Sequence, residues 1–386
     1  MQWSGQVGGA EVLGVELAHH LRLRGVDARA AFVGDPEPIA RLLEQRLIPH
    51  RTLGLSRGRH VVTRPRALAR LLGWAGEDVS LLPSDGYLAA AARIGGYRGQ
   101  IVAVEHGSLL MRHLLPMTRR VVRELDSASG LWAVDAQVAV SDYALRQVAA
   151  RRHARTLLRI YNGIDLERFT LSDCTGSEED RPVTIGFVGR LIADKGAGVL
   201  LRALAQMRVR DAVVRIAGDG PERVALEQLA VALGIAHRAE FLGEIFDVAS
   251  FWHRCDIAAV PSHVPWVESF GLVAVEAMAC GCAVVVSASG ALPEIVSSGL
   301  TGTVVPENDP AALATALDEY ATNRVLRAQH GQQARMDCER RFAIVDCARE
   351  YEELFHSLLD SEDRYPRTAR LPKIHGHPPV RWTRGR

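Results

Sequence analysis

Long apolar runs are absent from this sequence. No stretch approaches the roughly 20 consecutive apolar residues that cross a bilayer, and the longest candidate, residues 272–286, is interrupted by Glu276. The opening residues carry no charged leader followed by an apolar run, so the expectation is a cytoplasmic protein without a secretory signal. Cysteine is sparse and scattered, at positions 174, 255, 280, 282, 338 and 347. Cys280 and Cys282 are one residue apart, which is neither a zinc-knuckle nor a thioredoxin-like spacing, so free buried thiols are expected. There is no Asp-x-Asp, and His375 and His377 in the tail are the nearest approach to a ligand pair, so no catalytic metal and no cofactor are expected. Acidic residues vanish after position 363. Residues 364–386 hold seven basic side chains against a whole-chain formal charge of +1, so the remainder is net acidic. A nucleic-acid binder should be basic where it folds, and nucleic acid is excluded as a partner.

With 386 residues, the chain exceeds what one hydrophobic core usually supports, and two domains are expected. Its 48% hydrophobic and 24% charged residues fit a globular chain rather than a disordered one. In the second half, short apolar runs at 183–188, 213–217, 239–242, 257–260 and 283–286 alternate with helical patterns at 199–207, 222–233 and 273–279. That alternation predicts a parallel sheet covered on both faces, an α/β fold whose ligands lie outside the carboxyl ends of the strands. The first half repeats the pattern less cleanly, with a helix over 11–24 and strands at 28–33, 79–83, 101–105 and 136–140. The division predicted is residues 1–168, a linker at 169–182, a second domain at 183–344, a returning helix at 345–360 and a Pro- and Arg-rich tail at 361–386. A glycine turn leading into a helix normally follows a strand, yet only 1–7 precede Gly8 and Gly9, so the first strand is expected to lie upstream or to be absent.

Chemistry concentrates at the predicted strand ends. Gly271 opens a helix whose first N–H groups have no partner, and those donors with the helix dipole suit a diphosphate. Glu276 lies just over one turn inside, placed for ribose hydroxyls, and Glu268 lies on the loop before, placed for whatever the diphosphate carries. Alone, two carboxylates at this spacing are more often solvated charges on one helix face. Arg190 and Lys195 follow another strand, where two cations would neutralise a pyrophosphate. Gly218 begins a glycine-rich turn after a third strand, and Leu242 before Gly243 offers a wall for a base.

These segments together resemble the donor domain of retaining glycosyltransferases of the two-Rossmann (GT-B) architecture, specifically glycosyltransferase family 4. The resemblance runs from Gly189 to about Val305 through Gly218, Glu268, Gly271, Glu276, Gly290 and Glu294. It continues in order through the first half at Gly8, Gly9, Glu11, Glu105, His106, Ser141, Asn162 and Asp165, and Ser289 stands where many members have glycine. The resemblance implies two Rossmann-like parallel-sheet domains facing across a cleft, with a nucleotide-diphosphate sugar as co-substrate. It implies that Arg190 and Lys195 contact the diphosphate, Glu276 the ribose and Glu268 the transferred sugar, with His106 nearby. Backbone amides at Gly271, Leu272 and Val273 would hold the distal phosphate, which Gly8 and Gly9 would face from the opposite domain, and Ser269 and Phe270 belong to the same donor-binding segment. By its sequence surroundings alone, His106 reads more readily as a structural histidine at a strand end, and the resemblance is what places it in the site.

Arg57, Arg59, Arg64, Arg66 and Arg70 form one basic cluster and Arg112, Arg119, Arg120 and Arg123 another. Such faces either dock on an anionic acceptor or the inner membrane surface, or are the solvated side of packed helices. Base, sugar and acceptor stay open. So do two alternatives: a nucleotide-binding pseudo-transferase acting as a scaffold, and a sugar-nucleotide epimerase or phosphorylase of the same architecture. A pyridoxal-dependent phosphorylase would need a cofactor lysine, and lysine is scarce.

Overall fold

Apolar runs closed by turn residues become the strands of two parallel α/β halves. The computed structural model describes residues 9–32, 34, 37–54, 64–76, 78–83, 86–106, 132–150, 156–171, 181–264 and 268–360. The first half contains α1 (Gly9–Leu23), β1 (Ala30–Phe32), α2 (Glu37–Gln45), β2 (His50–Thr52), α3 (Pro65–Ala75) and β3 (Val79–Pro83). It continues with α4 (Gly86–Ile94), β4 (Gln100–Glu105), β5 (Ala136–Ala139), α5 (Asp142–Ala149) and β6 (Thr156–Arg159). Here β3, β4, β5 and β6 form one parallel sheet in that order, while β1 and β2 pair separately.

The second half contains β7 (Thr184–Val188), a 3₁₀ turn (Ala193–Lys195), α6 (Ala197–Gln206), β8 (Val213–Ala217), α7 (Arg223–Ala232) and β9 (Ala239–Gly243). There follow α8 (Val248–Trp252), β10 (Ile257–Val260), α9 (Leu272–Ala279), β11 (Ala283–Ser287), α10 (Leu292–Ile295) and β12 (Gly302–Val305). The helices α11 (Pro310–Thr322), α12 (Arg324–Arg341) and α13 (Ile344–Leu359) complete it. The six strands lie in the order β12-β11-β10-β7-β8-β9, all parallel. Order therefore reverses between β7 and β10, the place where such a sheet leaves a crevice at its carboxyl edge.

The core follows the strand period of two. In β11, Val284 and Val286 enter one apolar cluster while Ala283 and Val285 enter another on the opposite face. β10 divides likewise, Ala258 and Val260 against Ile257 and Ala259. The first of these clusters does not stop at the second half. It takes in Leu13 and Leu17 of α1, Val102 and Val138 of the first sheet, and Ile344, Tyr351 and Leu354 of α13. α13 returns to the first half, where Arg24 pairs with Glu352 at 2.6 Å, and Ile164 and Phe342 exchange a backbone hydrogen bond at 2.7 Å. A buried brace, Arg46 between Glu16 and Asp165 at 2.9 Å each, fixes α1 to the segment leading out of that half. Glu16, His20 and Asp165 bring three potential ligand atoms within 4.8 Å of one another, and Arg46 already supplies the compensating charge there.

Among the described residues no helix is long and apolar enough to cross a membrane. In α3, Leu68, Leu71 and Leu72 are buried while Arg64 before it and Arg66 and Arg70 on it face outward. Arg57, Arg59, the second basic cluster, most of the linker and the basic tail lie outside the described residues, as do Gly8 and all that precedes it.

Candidate functional site

The crevice between β7 and β10 is built by backbone contacts. Lys195 ends the 3₁₀ turn after β7, and Gly196 follows it with φ +78° at the start of α6. A side chain at Gly196 would strike the carbonyl of Pro261, the residue after β10. Backbone therefore presses on backbone across the reversal of strand order, and His263 N donates to Asp194 O at 2.9 Å beside it. This closeness brings Lys195 Nζ to 2.5 Å from Glu268 Oε1, while Ser262 Oγ donates to the same oxygen at 2.8 Å. With side chains only 22% and 13% exposed, the pair is less screened by solvent than a surface ion pair, and both charges are partly desolvated. Arg190, on the same loop, is exposed.

The next turn of chain carries the helix terminus. Gly271 has φ +92° and precedes α9, and a Cβ there would lie 2.5 Å from Leu292 Cδ2. In a helix the first N–H groups lack intrahelical partners, so those of Leu272 and Val273 and the positive end of the dipole face the crevice mouth. From the first half, Gly9 opens α1 so close that a Cβ on it would lie 3.1 Å from Leu272 Cδ2. Two helix N-termini and Lys195 thus border one region, with Arg190 exposed on the adjoining loop. Phe270 differs: its side chain is buried with Tyr161 and Phe342 at ring distances of 6.1 and 5.6 Å, so only its backbone is available to a ligand. Ser269 is also buried. At the far side of the sheet, Gly218 N donates to Gly243 O at 2.7 Å, and Leu242 rests partly buried against the core.

Glu276 is the one acidic residue of α9, whose other members are apolar. Burial pushes its carboxyl up to about 7, with the Arg168 charge and the nearby Trp252 indole pulling weakly the other way. The buried Trp252 N–H closes no hydrogen bond of ordinary geometry. A carboxyl so placed suits a ligand that brings its own hydroxyl donors. His106 follows β4, and burial pushes its imidazole down to about 4, leaving it neutral at physiological pH.

Three residues to which the sequence assigns no role also contribute. Arg168 comes from the first half, and its charge reaches both Glu276 and Asp247. Ser141 Oγ donates to Ser269 O at 2.5 Å. Glu294 accepts from Asp142 N at 2.7 Å and Tyr143 N at 2.9 Å. Ser141 and Glu294 stood inside recognised segments, but only the fold pairs them across 128 and 152 residues of chain.

Residues 7–168 match the family described as Glycosyltransferase Family 4, and residues 173–337 match Glycosyl transferases group 1. The chain belongs to the group 1, family 4 glycosyltransferases. It is 37% identical over 226 residues to D-inositol 3-phosphate glycosyltransferase of Geodermatophilus obscurus, 54% of this chain and 48% of that protein. It is 32% identical over 248 residues to GDP-mannose-dependent alpha-(1-6)-phosphatidylinositol monomannoside mannosyltransferase of Mycolicibacterium smegmatis, 60% of this chain and 63% of that one. The chain spans about half the length of the first curated relatives it matches. Its fold is that of the GT-B glycosyltransferases: Anabaena HepE, solved with UDP and glucose, superposes with a TM-score of 0.78 at 22% identity, covering 92% of this chain and 98% of that one.

Proposed function

We propose that this protein transfers a glycosyl group from a nucleotide-diphosphate sugar to an acceptor hydroxyl with retention of anomeric configuration, needing no cofactor or catalytic metal. The observation that carries the reading is the meeting of Lys195, Glu268 and the N-terminus of α9 at the reversal between β7 and β10. In this reading the diphosphate lies on the Leu272 and Val273 amides, with Lys195 and Arg190 taking up the charge that develops as it leaves. Glu276 holds the ribose, Leu242 borders the base, and Gly8 and Gly9 close over the distal phosphate. Glu268 then turns from Lys195 to the sugar hydroxyls. The bond from the anomeric carbon to phosphate oxygen breaks, the acceptor oxygen bonds to the same face, and the departing phosphate takes the acceptor's proton. Neutral His106 accepts or donates a hydrogen bond at the sugar without changing charge. Such chemistry rests on positioning and electrostatics rather than on a strong base.

The printed names of relatives and neighbours support phosphorylated inositols as the first acceptors to test, and GDP-mannose and UDP-glucose as the first donors. An anionic acceptor, or an inner membrane surface bearing one, also suits the outward arginines of α3 in a cytoplasmic protein. The test is a thermal-shift panel with UDP, GDP, ADP and dTDP, followed by product analysis with the matching sugar donor. A ligand at 100 times its dissociation constant stabilises by about 2.7 kcal/mol. Binding followed by an α-linked product from an α-donor supports the proposal. Binding with neither transfer nor hydrolysis for any acceptor would favour the scaffold reading.

A further inference from the structure

Glu294 has no assigned task in the reaction, yet its carboxylate reaches across the junction of the two halves. It sits on α10, and α10 is tethered to the sugar-side loop because Ala291 N donates to Glu268 O at 2.8 Å. Both Glu294 oxygens accept from the first half: Oε1 from Asp142 N at 2.7 Å and Oε2 from Tyr143 N at 2.9 Å. Those two N–H groups open α5 and have no partner within their own helix. A carboxylate at a helix N-terminus also gains from the dipole. One residue earlier, buried Ser141 works in both directions. It caps α5 by accepting from Ala144 N at 2.9 Å, and it donates to Ser269 O at 2.5 Å.

The two strands of this contact converge on one place. Ser269 follows Glu268, and Ala291 bonds to the Glu268 carbonyl, so both hydrogen bonds fix the peptide that carries the sugar-facing carboxylate. Arg341 holds the other end of α10 through Glu294 O at 3.0 Å. The neighbouring junction contacts differ in kind. Tyr161, Phe270 and Phe342 pack as an apolar cluster, which tolerates a change of angle better than three directional hydrogen bonds do.

We propose that Glu294 and Ser141 form a clasp between the halves, positioning residues that set Glu268 and the N-terminus of α9 in register with the acceptor half. When the clasp is made, the loop carrying Glu268 is fixed from both sides of the cleft. When it opens, the donor half keeps its diphosphate-binding groups but loses the alignment of Glu268 with what the first half presents. This inference rests on the transferase reading for its consequence, though not for its geometry.

The test uses the full chain with Glu294→Ala, Glu294→Gln and Ser141→Ala. Nucleoside diphosphate affinity, kcat and KM with a productive donor and acceptor, and hydrogen exchange of peptides covering 141–149 are measured in each. Glu294→Ala should lower kcat tenfold or more, change nucleoside diphosphate affinity less than threefold, and speed exchange at the start of α5. Glu294→Gln, which keeps one accepting oxygen, should fall between, and Ser141→Ala should repeat the kcat loss if Glu294→Ala folds poorly. Wild-type exchange at 141–149 in Glu294→Ala, or kcat within twofold of wild type in both Glu294→Ala and Ser141→Ala, overturns the clasp. A wild type that exchanges slowly at 141–149 but shows no transfer with any pair overturns the transferase reading and leaves the clasp geometry supported.

Discussion

Replacing Glu276 with glutamine should make the protein more stable and a worse nucleotide binder at once. Burial raises the Glu276 carboxyl from 4.5 to about 7. Between those values the native state holds a proton that the unfolded chain has released, so stability falls as pH rises through the window. Above about pH 7 the full penalty is present, and below 4.5 it is absent. One pKa unit corresponds to about 1.36 kcal/mol, which sets a ceiling of roughly 3 kcal/mol. Glu276 is half-buried rather than sealed, and screening by solvent brings the expected gain to about 1–2 kcal/mol. Glutamine cannot ionise, so Glu276→Gln should melt about 1–3 °C above wild type at pH 8 and level with it at pH 4.5. The same change removes charged acceptors for ribose hydroxyls, worth about 1.5–3 kcal/mol, or at least tenfold in dissociation constant. Calorimetric melting at both pH values, with titration of the panel's best nucleotide, reads all three quantities. A variant that melts at or below wild type at pH 8, or whose advantage is the same at both pH values, would refute the burial argument.

Glu268→Gln frees Lys195 from its 2.5 Å partner, and nucleoside diphosphate should bind about threefold to tenfold tighter while turnover falls about a hundredfold or more. Lys195 is one of two lysines in the chain, with Lys373 the other, so ¹³C-methylated protein should show one of its two lysine signals, beside that of the α-amino group, move with nucleotide; weaker binding in Glu268→Gln counts against the pairing. Gly271→Ala must accept φ +92° and a Cβ 2.5 Å from Leu292 Cδ2; it should cost about 1–3 kcal/mol and most of the nucleotide affinity, and an unchanged melting temperature would contradict the turn geometry. With its pKa near 4, His106 does not titrate between pH 5.5 and 8. The pH–rate profiles of wild type and His106→Gln should therefore share one shape there, and an inflection present only in wild type would argue that His106 is charged during turnover.

Much of the donor half could be read from its residues, and the reason is burial. Strands covered on both faces are apolar along their length, so β10 and β11 stand out as runs at 257–260 and 283–286. Gly196 and Gly218, in the turns after β7 and β8, are legible because few other residues adopt their backbone angles. α12 was not legible. Its buried positions are His330, Gly331, Ala334, Asp337 and Cys338, small or polar residues that give no apolar stripe. They are buried because Gly331 lets α12 lie against the backbone of Gly281, a fact of tertiary contact.

The site divides in the same way. Sequence alone determined which residue types stand at the strand ends: Arg190 and Lys195, Gly271, and two glutamates eight positions apart. It could not decide which of them touch, since contact depends on strand order, and β7 lies next to β10 only because the order reverses there. That reversal turned Lys195 and Glu268, 73 residues apart, into an ion pair. Packing turned Phe270 away into an aromatic cluster and gave Glu276 its raised pKa, because the cost of a buried charge depends on everything around it. The bonds from Ser141 and Glu294 belong to the same class: each residue was visible in the sequence, and only the meeting of two folded halves gave it a partner.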